Sequence, residues 1–300
     1  MHRVERHGTA MGSELHVVVW ARTAADRLAD LAVRRVDMLE QCWSRFLPRS
    51  ELARLNARAG HGPVPVSGDL ARLVAALIEA YAWSEGDVDA SVLGAMVAMG
   101  YDRDFACVIA SGMPAAWPAQ PATGMGGVLL HDGRASLPAG LGLDPGAIGK
   151  GLAGDIVATE IAAAGAAAVL VSIGGDVVTA GTPPDSPGWR ISVRDDRAPT
   201  RPEIDVVTLS GDRSAVATSS GLRRRWSGRH HVVDPRSGRP AASDIAQATV
   251  IADCGWRAEA GATVALIRGS RSAAWLTARG CASILLDGWA SALEGGRTHA

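Results

Sequence analysis

Apolar positions near the start of the chain change their period within a few residues. They first alternate, with Leu15, Val17 and Val19 on one side, which predicts a half-buried strand. From Thr23 onward they recur every three to four residues, which predicts an amphipathic helix, and Asp26 follows three residues later as in a capping box. The apolar stripe of this helix is Leu28, Ala32, Val36, Leu39 and Trp43.

The rest of the chain alternates between predicted strands and helices. Ser67 is expected to cap a second helix with an apolar stripe over 70–81. A Pro/Gly-rich loop is expected near 111–127, between two lobes of a single domain over 1–300. Because strands are many and long helices few, we predict an α+β fold with two mixed lobes rather than a doubly wound sheet. Further strands are predicted at 128–131, 168–173, 189–193, 205–209, 215–218, 230–233, 249–252 and 282–286, and further helices at 150–164, 256–267 and 272–278.

The charge balance and the cysteines exclude several classes of protein. Lys and Arg number 30 and Asp and Glu 31, so the basic excess of a general nucleic-acid binder is missing. The four cysteines form no Cys-x-x-Cys pair, which argues against a zinc ribbon or a disulfide scaffold and favours reduced thiols. The first residues are charged where a signal peptide would be apolar, and the long uncharged stretches contain proline or are too short to span a bilayer. We therefore expect a cytoplasmic protein with no membrane span and no nucleic-acid partner.

Lys150 is the only lysine of the chain, and it follows a glycine-rich turn. Where nearly every basic residue is arginine, a retained lysine indicates a site that needs a compact ammonium group, with chance as the alternative. Residues 144–151 resemble a P-loop but fail its pattern twice, because Asp144 replaces the first glycine and Gly151 replaces the Ser or Thr that binds Mg²⁺. A glycine-rich turn that opens a helix still offers backbone N–H groups to a phosphate, unless it is an ordinary tight turn.

Three further segments carry candidate chemistry, each with a plainer structural alternative. A double glycine followed by Asp176 would let a ligand approach the backbone, or would form a hairpin turn. The small hydroxyl side chains of 218–220 and the nearby His231 could line a phosphate or ring site, although a strand histidine is often structural. Glu259 and Thr263 lie four residues apart on one helix face, where their oxygens suit Mg²⁺ or form an ordinary helical pair.

Taken in order, these segments resemble the FAD:protein FMN transferase family, also called the ApbE family. They include the string Ser-Glu-Leu-Ala-Arg-Leu-Asn at 50–56 and the string His-Val-Val-Asp-Pro at 231–235. No single piece is specific, but the ordered set covers roughly residues 9–270, and the resemblance implies an α+β fold with a flavin-binding cleft between its lobes. The matching pieces are residues 9–13, 46–56, 88–92, 99–101, 146–151 with Asp155, 174–176, 217–221, 231–235 with Gly238, and 259–263.

The resemblance implies an enzyme that uses Mg²⁺ to transfer the FMN half of FAD to a Thr or Ser hydroxyl of an acceptor protein, with release of AMP. Such a reaction requires phosphate binding, charge neutralisation and an activated hydroxyl. The catalytic residues it implies are His231, for proton transfer or phosphate positioning, and Glu259. The metal ligands it implies are Glu259, Thr263 and the backbone carbonyl of Ala147. The FAD-binding residues it implies are Met11, Asp89, Gly146, Lys150, Gly174, Gly175, Asp176, Thr218, Ser219 and His231.

The chain departs from the family pattern at the metal site. Glu259 stands where the family has aspartate, and the extra methylene matters because Mg²⁺ tolerates little geometric error. Ala90 replaces a proline, an extra serine extends the Thr-Ser-Gly motif at 218–221, and the export signal of many family members is not found. Three hypotheses follow: an FMN transferase, which is favoured; a Mg²⁺-dependent FAD pyrophosphatase with water as the acceptor; and a non-catalytic flavin-binding protein.

Overall fold

The computed structural model describes residues 1–110, 117–198, 200 and 203–288. Of the predicted loop, 111–116 lie outside the described residues, and 117–127 carry neither helix nor strand, as expected. The strands are β1 (His2–Ala10), β2 (Ser13–Ala21), β3 (Val64–Pro65), β4 (Leu129–His131), β5 (Arg134–Ser136), β6 (Ala166–Ile173), β7 (Asp176–Ala180), β8 (Trp189–Val193), β9 (Asp205–Leu209), β10 (Arg213–Ser220), β11 (Arg225–Trp226), β12 (Arg229–His230), β13 (Val233–Asp234), β14 (Arg239–Pro240), β15 (Ile245–Ala252) and β16 (Ala282–Asp287). The α-helices are α1 (Ala25–Trp43), α2 (Glu51–Ala57), α3 (Gly68–Trp83), α4 (Leu93–Ala98), α5 (Phe105–Ala110), α6 (Gly149–Ala163), α7 (Gly255–Arg268) and α8 (Ser272–Thr277).

A seven-stranded sheet forms the centre of the fold, in the order β1-β2-β6-β7-β10-β15-β16. Every neighbouring pair in it is antiparallel. The three longest helices that contact it are α1 on β1 and β2, α6 on β6 and β7, and α7 on β10 and β15. An antiparallel sheet covered by helices is an α+β architecture, so the predicted fold class is confirmed.

The central strands separate two apolar layers, because successive strand residues point to opposite faces of a sheet. Val17 and Val19 of β2 pack in the core that includes the helices, whereas Val18 packs on the other face. There Val18 belongs to a cluster with Trp189 and Leu209 of the β8–β9 hairpin. The middle of the sheet is therefore buried on both faces.

A third apolar cluster lies apart from these two layers. It contains Met99, Tyr101 and Trp226, and the ring centroids of Tyr101 and Trp226 are 5.4 Å apart. Strands β3, β5 and β4 form a small sheet of their own. The division of the chain into two lobes stays a prediction.

The predicted start of one helix is confirmed, and that of another is wrong. Ser67 caps α3 as predicted, since its hydroxyl accepts a hydrogen bond from Leu70 N at 3.2 Å. Thr23 does not cap α1, because that helix begins at Ala25 with no side-chain cap. The Asp26 carboxylate instead accepts a hydrogen bond from Arg6 of β1 at 3.0 Å. Within the described part of the chain, no helix combines the length and the apolar character needed to cross a lipid bilayer.

The prediction of one continuous strand over 230–233 is wrong, because these residues belong to two different hairpins. His230 ends the β11–β12 hairpin and Val233 begins the β13–β14 hairpin. Between them, Val232 N donates to the His230 ring at 3.3 Å, and the Val232 carbonyl accepts from Ala241 N at 2.9 Å. With these backbone groups engaged, a strand ladder cannot continue through this segment.

Candidate active site

Two hairpin turns lie side by side at one end of the central sheet. Met11 and Gly12 connect β1 to β2, and Gly174 and Gly175 connect β6 to β7. The pairing of β2 with β6 makes the turns neighbours, and Gly174 N donates to the Glu14 carbonyl at 2.8 Å. Gly174 and Gly175 have φ angles of 63° and 90°, which glycine adopts without steric strain. The double glycine is therefore a hairpin turn, and it brings the following residue, Asp176, into the site.

Lys150 bridges two buried carboxylates, one at the second hairpin and one on α7. It lies in the first turn of α6, and its ammonium donates to Asp176 Oδ2 at 2.5 Å and to Glu259 Oε1. Asp176 Oδ1 also accepts from Thr218 N at 3.2 Å. Asp176 and Glu259 are 5% and 2% exposed, so both charges are largely removed from water. The only lysine of the chain is thus the cation of a buried ion cluster, formed by Lys150, Asp176 and Glu259.

Close packing of α6 against α7 holds Glu259 in this cluster. Gly151 of α6 faces Gly255 of α7, and a Cβ on either glycine would overlap the backbone of the other. This approach lets Gly151 N donate to Glu259 Oε2 at 2.8 Å. Both oxygens of Glu259 therefore have partners, one on Lys150 and one on the backbone of α6.

Asp155 fixes the beginning of α7. Its two carboxylate oxygens accept from Gly255 N at 2.8 Å and from Trp256 N at 3.1 Å. Cys254, the residue that precedes α7, makes no side-chain cap hydrogen bond. A carboxylate at the N-terminus of a helix satisfies free N–H groups and interacts favourably with the helix dipole. Asp155 therefore sets the position of α7, and with it that of Glu259.

Burial and neighbouring charges determine the protonation of the ion cluster. Burial lowers the pKa of Lys150, but the carboxylates of Asp176 and Glu259 outweigh it and raise the pKa above its ordinary range. Burial raises the pKa of Glu259; Lys150 opposes this rise and the Asp176 carboxylate adds to it. One ammonium thus neutralises two carboxylates that repel each other, which leaves the cluster short of positive charge.

The loop before α6 is held by an ion pair and by backbone hydrogen bonds. Asp144 Oδ2 pairs with Arg45 Nε at 2.8 Å, and Asp144 Oδ1 accepts from Gly146 N at 2.8 Å. Asp144 N donates to the Ala90 carbonyl at 2.8 Å, which ties the loop to the turn that begins at Asp89. Asp89 is buried, and its carboxylate accepts a backbone N–H of its own turn at 2.8 Å. Gly146 and Asp89 therefore belong to one connected framework.

His231 lies near the ion cluster with one ring nitrogen unpaired. Its Nδ1 is buried and has no hydrogen-bond partner among the described residues. Burial, together with the positive charges of Arg224 and Lys150, lowers the pKa of His231 to about 3. Arg224 also donates to Ser13 Oγ at 3.0 Å, beside the first hairpin turn. His231 is therefore a neutral imidazole at physiological pH.

The sequence matches the model of one family, described as the ApbE family, over residues 11–285. This chain belongs to the ApbE family. Curated proteins named FAD:protein FMN transferase are similar to it: that of Klebsiella pneumoniae (strain 342) is 25% identical over 277 residues, which cover 89% of this chain and 79% of that protein. The one from Rhodobacter capsulatus is 28% identical over 299 residues, which cover 94% of this chain and 54% of that protein.

Solved ApbE structures share the fold. The ApbE protein of Thermotoga maritima superposes with a TM-score of 0.83 at 23% identity and covers 99% of this chain and 96% of its own. The flavin transferase ApbE of Vibrio cholerae gives a TM-score of 0.80 at 22% identity, with 95% and 94% covered. The predicted resemblance to the ApbE family is confirmed, and relatives named as transferases support the expectation of an enzyme of that class.

Two hydroxyl residues expected from the ApbE resemblance point to different faces of the sheet. Thr218 contacts Asp176 through its backbone N–H, but its hydroxyl shares a hydrogen bond with Thr249 Oγ1 at 2.8 Å. Strand alternation places that hydroxyl on the face of Val216, in the layer of the β8–β9 hairpin. Ser219 is the next residue of β10, so its side chain faces the helices. Only Ser219 of this pair presents its hydroxyl on the face that carries the ion cluster.

The metal ligands expected from the ApbE resemblance come from α7 and from the loop before α6. Thr263 follows Glu259 by about one helical turn and is partly exposed, and Ala147 lies just before α6. A carboxylate, a hydroxyl and a backbone carbonyl are oxygen donors, which is the chemistry that Mg²⁺ prefers. The donor set therefore fits Mg²⁺, although Lys150 and Gly151 N already share the Glu259 carboxylate.

Sequence reasoning missed the residues that hold the two helices together. The contact of Gly151 with Gly255 and the cap supplied by Asp155 join positions that are 100 residues or more apart in the chain. A signal for the first was present, because glycine inside a helix is unfavourable unless close packing requires it. No comparable local signal marks Asp155 as the cap of a distant helix.

Proposed function

We propose that this chain is a Mg²⁺-dependent FAD:protein FMN transferase, which transfers FMN from FAD to a Thr or Ser hydroxyl of an acceptor protein and releases AMP. One structural observation carries this proposal: a single lysine joins two buried carboxylates beside a glycine hairpin, at the start of a helix. The names of the curated relatives supply the substrate and the reaction. The cytoplasmic location expected from the sequence stays a prediction.

Groups that bind phosphate surround the ion cluster. The first turn of α6 offers the positive end of a helix dipole, and Gly175 in the hairpin turn has open space beside its backbone for close approach of a ligand. Lys150 adds a positive charge, and its side chain is 21% exposed, so a ligand can reach it from solvent. These groups would bind the diphosphate of FAD between the helix and the hairpin.

The transfer is an exchange of one phosphorus–oxygen bond for another. The acceptor hydroxyl oxygen bonds to the phosphorus on the FMN side of the diphosphate, the bond from that phosphorus to the bridging oxygen breaks, and AMP leaves with that oxygen. The hydroxyl proton passes to solvent water as the new bond forms. Because a pKa of about 3 makes His231 a weak base, we assign its unpaired Nδ1 to orienting the hydroxyl or a phosphate by a hydrogen bond.

Glu259, Thr263 and the Ala147 carbonyl would hold Mg²⁺, which when bound supplies positive charge to the diphosphate. Glu259 can serve this role only as a carboxylate. Burial and the Asp176 carboxylate raise its pKa despite the opposing hydrogen bonds from Lys150 and Gly151 N, and a bound cation would favour the ionised form. Lys150 would then turn part of its hydrogen bonding from Glu259 to the phosphates. Asp155 and the glycine contact between α6 and α7 keep these groups in place.

The test follows AMP and flavin in a mixture of purified protein, FAD, Mg²⁺ and an acceptor domain that contains a flavinylation threonine. We expect flavin fluorescence on the denatured acceptor and an equal amount of AMP, both lost when that threonine is replaced by alanine. Free FMN and AMP without labelled acceptor would contradict the transfer and identify a pyrophosphatase. Intact FAD would contradict catalysis and leave a flavin-binding protein.

A further inference from the structure

Two histidines and a glutamate lie together on the first hairpin of the chain, away from the ion cluster. His7 of β1 is paired directly with His16 of β2, and Glu5 lies two residues before His7 on β1. Residues two apart on a strand share a face, so the three side chains point the same way. That face is opposite to the one on which Arg6 contacts α1. The cluster therefore lies on the outer side of the sheet, near the β8–β9 layer to which Val18 belongs.

The possible ligand atoms of these three side chains lie close to one another. Glu5 Oε2 lies 2.8 Å from His16 Nε2 and 3.6 Å from His7 Nε2, and all three atoms lie within 4.8 Å of one another. The imidazole rings are stacked, with centroids 4.3 Å apart and planes at 8°. The other oxygen of Glu5 pairs with Arg3, which fixes the direction of the carboxylate. Oε2 is left to face the two histidines.

Two imidazole nitrogens and one carboxylate oxygen are a typical ligand set for Zn²⁺, with a fourth position open to water. Ligand atoms about 2.0–2.1 Å from a tetrahedral Zn²⁺ are about 3.3 Å apart. The observed separations of 2.8 and 3.6 Å from Glu5 Oε2 lie on either side of this value. The stacked rings direct their nitrogen lone pairs along nearly parallel planes, so binding one ion would require at least one imidazole to turn out of the stack. Mg²⁺ does not suit this cluster, because it prefers oxygen ligands throughout.

We propose that Glu5, His7 and His16 bind one divalent transition-metal ion of the Zn²⁺ class. The ion would link β1 to β2 through side chains, in addition to their backbone hydrogen bonds. β1 is the edge strand of the central sheet and has β2 as its single neighbour there. Binding would therefore stabilise the strand that leads into the Met11–Gly12 turn. This site is separate from the proposed transferase chemistry and does not depend on it.

The test titrates ZnCl₂ into tag-free, chelator-treated protein by calorimetry. We expect one Zn²⁺ per chain that is lost, or weakened by about tenfold or more, in His7→Gln and in His16→Gln. The matched control is His131→Gln, which removes an exposed histidine that also lies beside an acid, Asp132. The control should bind like the parent. His7 is exposed, so its variant is expected to fold, and far-ultraviolet circular dichroism checks this.

A second readout reports the identity of the ligands. Co²⁺ in the parent protein should give the visible absorption of a tetrahedral site without the strong charge-transfer band of a thiolate, and Cys107→Ser, which removes an exposed thiol, should not change it. Zn²⁺ at tenfold excess over its Kd should raise the Tm of the parent by about 2 °C, and that of His7→Gln by less. Equal Zn²⁺ affinity and equal Tm shifts in the parent, His7→Gln and His16→Gln would overturn the proposal.

Discussion

Two buried acids of this fold, Asp87 and Glu259, are neutralised in opposite ways. The side chain of Asp87 is fully buried, and its two oxygens pair with the guanidinium groups of Arg236 and Arg268. Glu259 is almost as deeply buried, but it shares one ammonium, that of Lys150, with the neighbouring Asp176. Asp87 therefore contacts two cations, each of which also pairs with a more exposed acid, Asp234 or Glu85, whereas the ion cluster has one cation for two buried carboxylates.

The number of cations that contact each buried acid distinguishes a structural site from a site that can bind a cation as a ligand. The carboxylate of Asp87 needs no further cation to balance its charge. Its two planar guanidinium partners hold it between segments that are distant in the chain. In the described structure, the ion cluster has no second basic residue paired with Asp176 or Glu259, so with both carboxylates ionised it carries one net negative charge that would attract a cation. A compact ammonium also leaves more space beside the carboxylates than a guanidinium would.

The largest effect is expected from removing the charge of Glu259. Glu259→Gln should lower Mg²⁺-dependent AMP release by about 10²–10³-fold, because a charged group at the reacting diphosphate is lost while the shape is kept. FAD binding, measured by flavin fluorescence, should persist. Glu160→Gln, which changes another glutamate, on the far part of α6, serves as the control and should leave AMP release unchanged. Full AMP release by Glu259→Gln would remove this residue from the metal site.

Asp87→Asn tests the structural role of the acid that is paired with two arginines. It leaves two guanidinium groups facing an amide in a buried position, and we expect the free energy of unfolding to fall by about 2–3 kcal/mol in urea titrations. The Mg²⁺ dependence of AMP release should not change, since Asp87 is outside the ion cluster. A variant that keeps its stability but loses Mg²⁺ dependence would reverse the roles assigned to the two acids.

Gly151→Ala tests whether the helix contact positions Glu259. The new Cβ would overlap the Gly255 backbone, so α6 and α7 must separate, at a cost of about 1–3 kcal/mol of stability, with loss of AMP release. Gly68→Ala is the matched control, because Gly68 is also helical and has open space around it. Urea denaturation and the AMP assay on both variants separate packing from helix propensity. Equal behaviour of the two variants would contradict the positioning role of Gly151.

The smallest predicted effect is a dependence of stability on pH. Burial lowers the pKa of His231 to about 3, so below the ordinary histidine pKa of about 6.5 the unfolded chain binds a proton that the folded chain does not. Stability is therefore full above pH 6.5 and is lost as the pH falls from there toward 3. Between pH 7 and pH 5 this group should remove about 1–2 kcal/mol. Urea titrations should therefore show a stability difference between the parent and His231→Gln that changes by about 1–2 kcal/mol from pH 7 to pH 5; a difference independent of pH would contradict the burial of a neutral imidazole.

The parts of the site that sequence predicted are those with a local signal. Lys150 was distinguished by composition, Glu259 and Thr263 by their helical spacing, and the Gly174–Gly175 turn by its dipeptide. The strand β2 followed from a simple alternation of apolar residues. Apart from the composition that marks Lys150, each of these features depends on neighbours within a few positions of the chain.

The parts that sequence did not predict depend on distant partners. The capping box at Thr23 and Asp26 failed because Arg6 of β1 pairs with Asp26 instead. Neither β1 nor β7 was predicted. β1 is an edge strand with a charged outer face, so its apolar and polar residues do not alternate clearly. β7 is a short run of residues buried on both faces, which also gives no alternation. The interruption at His231 arises from contacts with Ala241 and from the His230 ring. These causes become visible only when the chain is folded.

The shortage of positive charge in the ion cluster is tested most directly by measuring Mg²⁺ binding to the FAD-loaded protein by calorimetry. We predict one Mg²⁺ per chain for the parent protein, and binding weakened by tenfold or more in Glu259→Gln, a change of at least about 1.4 kcal/mol. Asp87→Asn should bind Mg²⁺ like the parent. Equal Mg²⁺ affinity in the parent and Glu259→Gln would contradict the assignment of the Lys150–Asp176–Glu259 cluster as the cation site.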